Sequence, residues 1–110
     1  MELMNLKTLC EQLNISRRSI QCYEKAGLMA PTGKNKYGYL LYDEEAFHRA
    51  EKIKFLQQLG FKLKDIKKII DAPGYKVKEV LRIRIEELEN EQTNLDQIIQ
   101  KARAYIDSLE

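Results

Sequence analysis

Side chains that donate hydrogen bonds recur along one short stretch of the sequence at the spacing of a helix face. Arg18, Gln21, Cys22 and Lys25 stand at positions i, i+3, i+4 and i+7, and Arg17 precedes them. We call these four residues the polar stripe. The forked polar groups of Arg and Gln match the edges of guanine and adenine in the major groove of DNA. The stripe therefore predicts a DNA-reading helix, with an ordinary hydrated helix face as the alternative.

A second basic segment follows the stripe. Residues 32–38 are rich in turn formers, and residues 39–42 are an aromatic and apolar run typical of a strand. We expect a two-stranded wing whose lysines neutralise phosphates and whose tyrosines lie against the DNA backbone. The candidate residues here are Lys34, Lys36, Tyr37 and Tyr39. A loop that only keeps its lysines hydrated is the alternative.

Reactive side chains are few and scattered. The chain has two cysteines, Cys10 and Cys22, and one histidine, His48. Cys10 falls on an apolar helix face and Cys22 on the polar stripe, so the pair lacks both the spacing and the shared face of metal ligands. No Ser, Cys or carboxylate arrangement around His48 suggests a catalytic triad. We predict no enzyme, no catalytic residue, no metal site and no cofactor.

Two short helices are expected to position the polar stripe. Apolar residues at positions 6, 9, 10 and 13 predict an amphipathic helix over residues 5–13, with Asn5 as its N-cap. Ser16 is the N-cap expected for the second helix, which should end at Gly27, a residue type that tolerates the left-handed conformation. Two such helices joined by a short turn are typical of a helix-turn-helix.

Two further helices complete the predicted N-terminal unit. Asp43 is expected to cap a third helix that ends at Gly60, and the apolar spacing predicts a fourth over about residues 61–70. The sequence Ala-Pro-Gly at residues 72–74 then interrupts any helix. We predict a winged helix-turn-helix head with an accessory helix pair over residues 1–71.

The C-terminal segment, residues 76–109, predicts one long helix of about 50 Å that has no Gly or Pro to break it. Its leucines recur every seven residues, which is the repeat of a coiled coil. The head is too small to cover this apolar face, so we expect two copies to pair, with a helix that folds back on itself as the alternative. The predicted dimer contacts are Leu81, Ile85, Leu88, Leu95, Ile98, Ile99, Ala102, Tyr105 and Ile106.

Length and charge fit this division. The 110 residues, 44% of them hydrophobic, suit one small domain with an appendage. Residues 1–42 carry a net charge of +3 and residues 76–110 carry −2, which is typical of a nucleic-acid reader with a separate association element. No apolar run reaches the length of a membrane span and no secretion signal opens the chain, so we expect a cytoplasmic protein with no membrane partner.

Three ordered motifs resemble the MerR family of bacterial transcription regulators. The recognition-helix signature of that family is similar to ISRRSIQCYEKAGL over residues 15–28, and its wing motif is similar to GYLLY over residues 38–42. Its helix-pair signature resembles FLQQLGF over residues 55–61. The long terminal helix corresponds to the antiparallel dimerisation coil of the family.

The resemblance implies both an architecture and a mode of action. It implies a mostly α fold, in which a winged helix-turn-helix head is followed by a dimerisation helix that forms an antiparallel coiled coil. It also implies a homodimer that binds a pseudo-palindromic promoter spacer in double-stranded DNA and bends or untwists it, with RNA polymerase as a possible partner at the promoter. A protein-interaction module with vestigial DNA binding is the alternative. We expect a short form of the family without an effector domain, or the N-terminal part of a longer member.

Individual residues carry the resemblance unequally. Arg18 matches the signature arginine, Tyr23 the second aromatic residue of a Tyr-Tyr pair, and Tyr39 the wing tyrosine. Departures occur at Gln21, Cys22 and Leu40, where the family has an arginine, an aromatic residue and an arginine, and at Lys62, where it often has a capping serine. The residues expected to contact DNA are Ser16, Arg17, Arg18, Gln21, Cys22, Tyr23, Lys25, Lys34, Lys36, Tyr37 and Tyr39.

Overall fold

The structure, a computed structural model, describes residues 3–109. Contacts divide the chain into two compact units, with the boundary between Ala72 and Pro73. The elements, in chain order, are β1 (Met4–Asn5), α1 (Leu6–Leu13), α2 (Arg17–Lys25), β2 (Gly33–Lys34), β3 (Leu40–Tyr42), α3 (Glu44–Gln58), α4 (Leu63–Ile69) and α5 (Gly74–Ser108). The N-terminal unit holds β1 to α4, and the second unit holds α5.

Side-chain caps fix where α1 and α2 begin. The Asn5 side chain accepts a hydrogen bond from the backbone N–H of Thr8 at 2.8 Å, and the Ser16 hydroxyl accepts one from the N–H of Ser19 at 3.0 Å. Each satisfies a backbone donor that the first turn of a helix leaves without a partner. Asn14 ends α1 in the left-handed conformation, with φ of 53°. Both predicted N-caps are confirmed.

The wing is part of a three-stranded sheet. The strand order is β1-β3-β2, and both pairings are antiparallel, with Met4 opposite Tyr42 and Gly33 opposite Leu41. The sequence predicted the β2-β3 hairpin but missed β1, because two residues are too few to show an alternating pattern. The Thr32 hydroxyl accepts a hydrogen bond from the Asp43 N–H at 2.9 Å, which joins the wing to the start of α3.

One hydrophobic core unites the elements of the N-terminal unit. Side chains from α1, α2, β3, α3 and α4 contribute to it, as does the loop after α2. The largest fully buried side chains are Leu9, Ile20, Tyr23, Leu28, Tyr42, Ile53 and Ile66. Because the core includes Ile20 and Tyr23, it fixes which face of α2 is turned to solvent.

Helices α3 and α4 are the last two elements of the N-terminal unit. Asp43 caps α3 as predicted, accepting from the N–H of Ala46 at 2.9 Å, whereas Lys62 at the start of α4 makes no capping hydrogen bond. Arg49 of α3 forms two parallel hydrogen bonds with the carboxylate of Asp71, both 2.9 Å long. This ion pair lowers the pKa of Asp71 and ties the end of the unit back to α3.

The second unit is the single helix α5. It begins at Gly74, two residues before the predicted start, because Pro73 occupies the N-cap position, where the lack of an N–H costs nothing. The 35-residue helix has no buried residue.

Candidate nucleic-acid interface

The polar stripe lies on the solvent-exposed side of α2. Arg18, Gln21, Cys22 and Lys25 are all exposed, and so is Arg17. The opposite face is anchored in the core through Ile20 and Tyr23. The predicted exposure of the stripe is confirmed, and its donors are held on a helix whose orientation the core determines.

The N-terminal end of α2 adds further donors. Ser16 is exposed, and its hydroxyl lies 3.0 Å from the hydroxyl of Ser19 in addition to capping the helix. The first turn carries no acidic residue, whereas Arg17 and Arg18 follow the cap directly. The partial positive charge of a helix N-terminus therefore adds to two guanidinium groups at this end of the stripe.

The prediction that Tyr23 contacts DNA is not supported by its position in the fold. The resemblance placed it among the DNA-contacting residues, but its side chain is 2% exposed, and its hydroxyl donates to Oε1 of Gln57 at 2.7 Å. The ring packs in the core and ties α2 to α3, so it is not on the exposed face. The spacing of Tyr23 from Ile20, i and i+3, is the sequence signal for this placement.

A second tyrosine holds α2 to the wing. Tyr42 of β3 is fully buried, and its hydroxyl donates to Oε2 of Glu24 at 3.0 Å. Burial, together with the neighbouring Glu24 carboxylate, raises the pKa of Tyr42 well above its usual value. Because Tyr23 and Glu24 are adjacent, α2 is fixed to α3 and to β3 through consecutive residues. Neither contact has a local sequence signal, because its partners lie 34 and 18 residues apart.

The wing presents its predicted residues to solvent. Lys34, Lys36, Tyr37 and Tyr39 are all exposed. The Asn35 side-chain oxygen accepts from the backbone N–H groups of Tyr37 and Tyr39, at 2.9 and 3.1 Å, and so holds the loop in shape. The Lys36 ammonium lies 5.1 Å from the centre of the Tyr37 ring, a cation-π distance.

The two cysteines and the histidine differ in their burial. Cys10 is buried in α1, and burial raises the pKa of its thiol, whereas Cys22 is exposed. His48 is exposed and lies 3.5 Å from the carboxylates of Glu44 and Glu51. Within residues 3–109, no group of three or more His, Cys, Asp or Glu side chains could hold a metal ion. No helix in this range is long and apolar enough to cross a membrane.

The predicted dimer contacts lie along α5, and none of them is buried. Leu81 and Leu88 are half-buried, and Ala102 is exposed. The remaining six are 46% to 66% exposed, and they are Ile85, Leu95, Ile98, Ile99, Tyr105 and Ile106. Arg84 interrupts the apolar rows and lies 3.5 Å from Glu87 and from Glu91.

Two family descriptions match the chain and together span most of it. "MerR HTH family regulatory protein" matches residues 4–73, and "MerR, DNA binding" matches residues 47–105. The chain belongs to the MerR family. The fold agrees with the one implied by the sequence motifs, a helix-turn-helix head followed by a long helix.

Individual MerR-family relatives agree with this assignment. The chain is 30% identical over 95 residues to the HTH-type transcriptional activator mta of Bacillus subtilis, which covers 86% of the chain and 37% of that protein. It is 31% identical over 88 residues to the HTH-type transcriptional regulator SkgA of Caulobacter vibrioides, which covers 80% of the chain and 34% of that protein. The chain thus spans about a third of the length of these two relatives, both of which are transcription regulators.

A solved MerR-family structure has the same architecture. The N-terminal part of the B. subtilis multidrug transporter activator, MtaN, superposes with a TM-score of 0.74 at 27% identity. The similarity covers 94% of this chain and 97% of that one. The order of head and long helix is therefore common to both.

Proposed function

We propose that this protein is a sequence-specific transcription regulator that binds a pseudo-palindromic promoter spacer as a homodimer and bends or untwists it. The observation that carries the proposal is the exposed polar stripe on a helix whose other face is fixed in the core. A DNA-reading helix needs both properties, because its donors must reach base edges while its orientation stays constant.

In the proposed complex, α2 enters the major groove. Arg18 and Gln21 offer the paired polar groups that recognise guanine and adenine, and Cys22 and Lys25 continue the same face. Arg17 and Ser16, at the positive end of the helix, face phosphates. Gln21 and Cys22 replace two residues usual in the family, so we expect the preferred DNA sequence to differ from that of members with the usual pair.

The wing supplies contacts that do not depend on sequence. Lys34 and Lys36 are exposed cations on a loop that Asn35 holds in shape. Tyr37 and Tyr39 are 72% and 67% exposed, so their rings are free to lie against the sugar-phosphate backbone. These residues position the protein on DNA, whereas the polar stripe selects the sequence.

The dimer follows from the apolar rows of α5. A lone helix would leave Ile98 61% and Leu95 59% exposed, together with their neighbours in the same rows. Pairing with the α5 of a second copy, as an antiparallel coiled coil, removes these side chains from water. A twofold dimer carries two recognition helices and so reads two half-sites of a palindrome.

The dimer also provides a means of bending DNA. Deforming a site of 20 to 30 base pairs costs about 1–6 kcal/mol, and phosphate contacts at both ends offset that cost. Since a deformed spacer changes how the flanking promoter elements are aligned, RNA polymerase is the expected further partner. Such a regulator acts in the bacterial cytoplasm.

The test is a titration of the purified protein against duplex DNA at several salt concentrations. The target duplex is obtained by selecting bound fragments from a random library, and a mixed-sequence duplex is the comparison. We expect a steep decrease of affinity with salt. A flat salt dependence, with pairing through α5 intact, would instead support the protein-interaction module.

Two substitutions separate sequence reading from positioning. Arg18→Ala is expected to weaken binding to the selected duplex by about 1–3 kcal/mol and to leave mixed-sequence binding less affected. Lys36→Ala is expected to weaken binding to both duplexes equally. Equal losses on both duplexes for both variants would contradict the assigned roles.

A further inference from the structure

A cleft of about 460 Å³ opens beside the polar stripe, between the start of α1, the start of α2 and the wing. Asn5 and Lys7 line it on one side, Arg17 on another, and Asn35 and Tyr39 on the third. Arg17 and Tyr39 belong to the proposed DNA interface, so the cleft is continuous with that surface. Asn5 and Lys7 were not predicted as contact residues.

The electrostatics of the cleft favour an anion. Its described lining includes two cations, Lys7 and Arg17, and no acidic residue. The remaining side chains of this lining are neutral, among them the apolar Leu6 and Leu40. None of the ion pairs within residues 3–109 includes Lys7 or Arg17. The oxygen of Asn35 is committed to the wing turn, so its amide N–H groups are the donors that it can offer to a ligand.

We propose that this cleft binds the sugar-phosphate backbone of the duplex, and that Lys7 contacts a phosphate there. Lys7 and Arg17 bind the phosphate charge from two sides, and the Tyr39 ring lies against the adjoining sugar. This inference rests on the proposed DNA-binding function and adds to it a contact from α1. The proposed Lys7 contact lies between those of α2 and those of the wing, along one strand of the DNA backbone.

The experiment measures the salt dependence of DNA binding for wild type and Lys7→Ala, on the selected and the mixed-sequence duplex. Each phosphate contact contributes about 0.9 to the slope of log affinity against log salt. Because the proposed dimer carries two copies of Lys7, Lys7→Ala is expected to lower the magnitude of the slope by about 2 and the affinity about thirtyfold at 0.15 M salt, equally on both duplexes. Circular dichroism tests whether the variant is folded, which we expect because Lys7 is exposed.

Two matched variants complete the design. Lys7→Arg keeps the charge and should restore the wild-type slope, and Lys78→Ala removes an exposed lysine from α5 and should leave the slope unchanged. A wild-type slope in Lys7→Ala, no restoration by Lys7→Arg, or an equal decrease in Lys78→Ala would each overturn the inference. Failure of the wild-type protein to bind any duplex would instead refute the proposed function, so the two failures are distinguishable.

Discussion

The contact between the recognition helix and the wing leads to a prediction about Tyr42→Phe. The hydroxyl of Tyr42 donates to the Glu24 carboxylate at 3.0 Å, and the ring is fully buried. A hydrogen bond to a charged group contributes about 1.5–3 kcal/mol. Glu24 is half-buried, so water can replace part of the lost contact. We therefore expect Tyr42→Phe to reduce the free energy of unfolding by about 1.5 kcal/mol at pH 7.

The difference in free energy of unfolding between the wild type and Tyr42→Phe should disappear at alkaline pH. The pKa of Tyr42 is raised in the folded state, so its stabilising contribution is complete below the pKa of an unfolded tyrosine, about 10. Above that value the unfolded chain loses the proton while the folded chain keeps it, so stability falls as pH rises. At pH 11, deprotonation of Tyr42 in the unfolded chain lowers the free energy of unfolding of the wild type by about 1.4 kcal/mol. Phe does not titrate, so the wild type and the variant should be nearly equally stable there.

The assay is urea unfolding followed by circular dichroism at pH 7 and pH 11, at one protein concentration. Tyr23 also has a raised pKa, but it is present in both proteins and its effect cancels in the comparison. A difference between wild type and variant that is the same at both pH values would refute the reasoning. It would show that burial and the Glu24 contact do not keep the Tyr42 hydroxyl protonated in the folded state above pH 10.

Two further predictions concern the caps of the accessory helices. Lys62→Ser should supply the capping hydrogen bond that the start of α4 lacks and raise the free energy of unfolding by about 1 kcal/mol. The melting temperature should then be higher than that of the wild type, and an unchanged or lower melting temperature would argue against the prediction. Asp43 caps α3, and the hydrogen bond from the N–H of Ala46 is the main cause of its lowered pKa. Its contribution to the free energy of unfolding is therefore complete above about pH 4 and is lost as pH falls through the folded-state pKa. Asp43→Asn, which keeps a capping oxygen without titrating, should therefore lose less stability than the wild type between pH 4 and pH 2, and parallel acid unfolding curves would contradict this.

Local sequence signals were sufficient for most elements. Asn5, Ser16 and Asp43 cap their helices as predicted, because a side-chain oxygen at a helix start interacts only with the next three residues. The exposed face of α2 was likewise predictable from helical periodicity, since the apolar residues Ile20 and Tyr23 specify the opposite side. These features depend on spacing along the chain.

Features that depend on distant parts of the chain were missed or misplaced. The hydrogen bond between Tyr42 and Glu24 joins residues 18 apart, and the one between Tyr23 and Gln57 joins residues 34 apart. Strand β1 exists only because β3 pairs with it. Lys7 was not predicted as a contact residue, because the start of α1 lies beside the wing only in the folded chain.

The central claim is that two copies pair through α5 and present two recognition helices to one duplex. Sedimentation equilibrium of the protein alone, at micromolar concentration and 0.15 M salt, tests it most directly. The predicted result is a species of twice the chain mass of 12.9 kDa, which Ile98→Asp converts to single chains that are still folded. Single chains of the wild-type protein across the micromolar range would contradict the account.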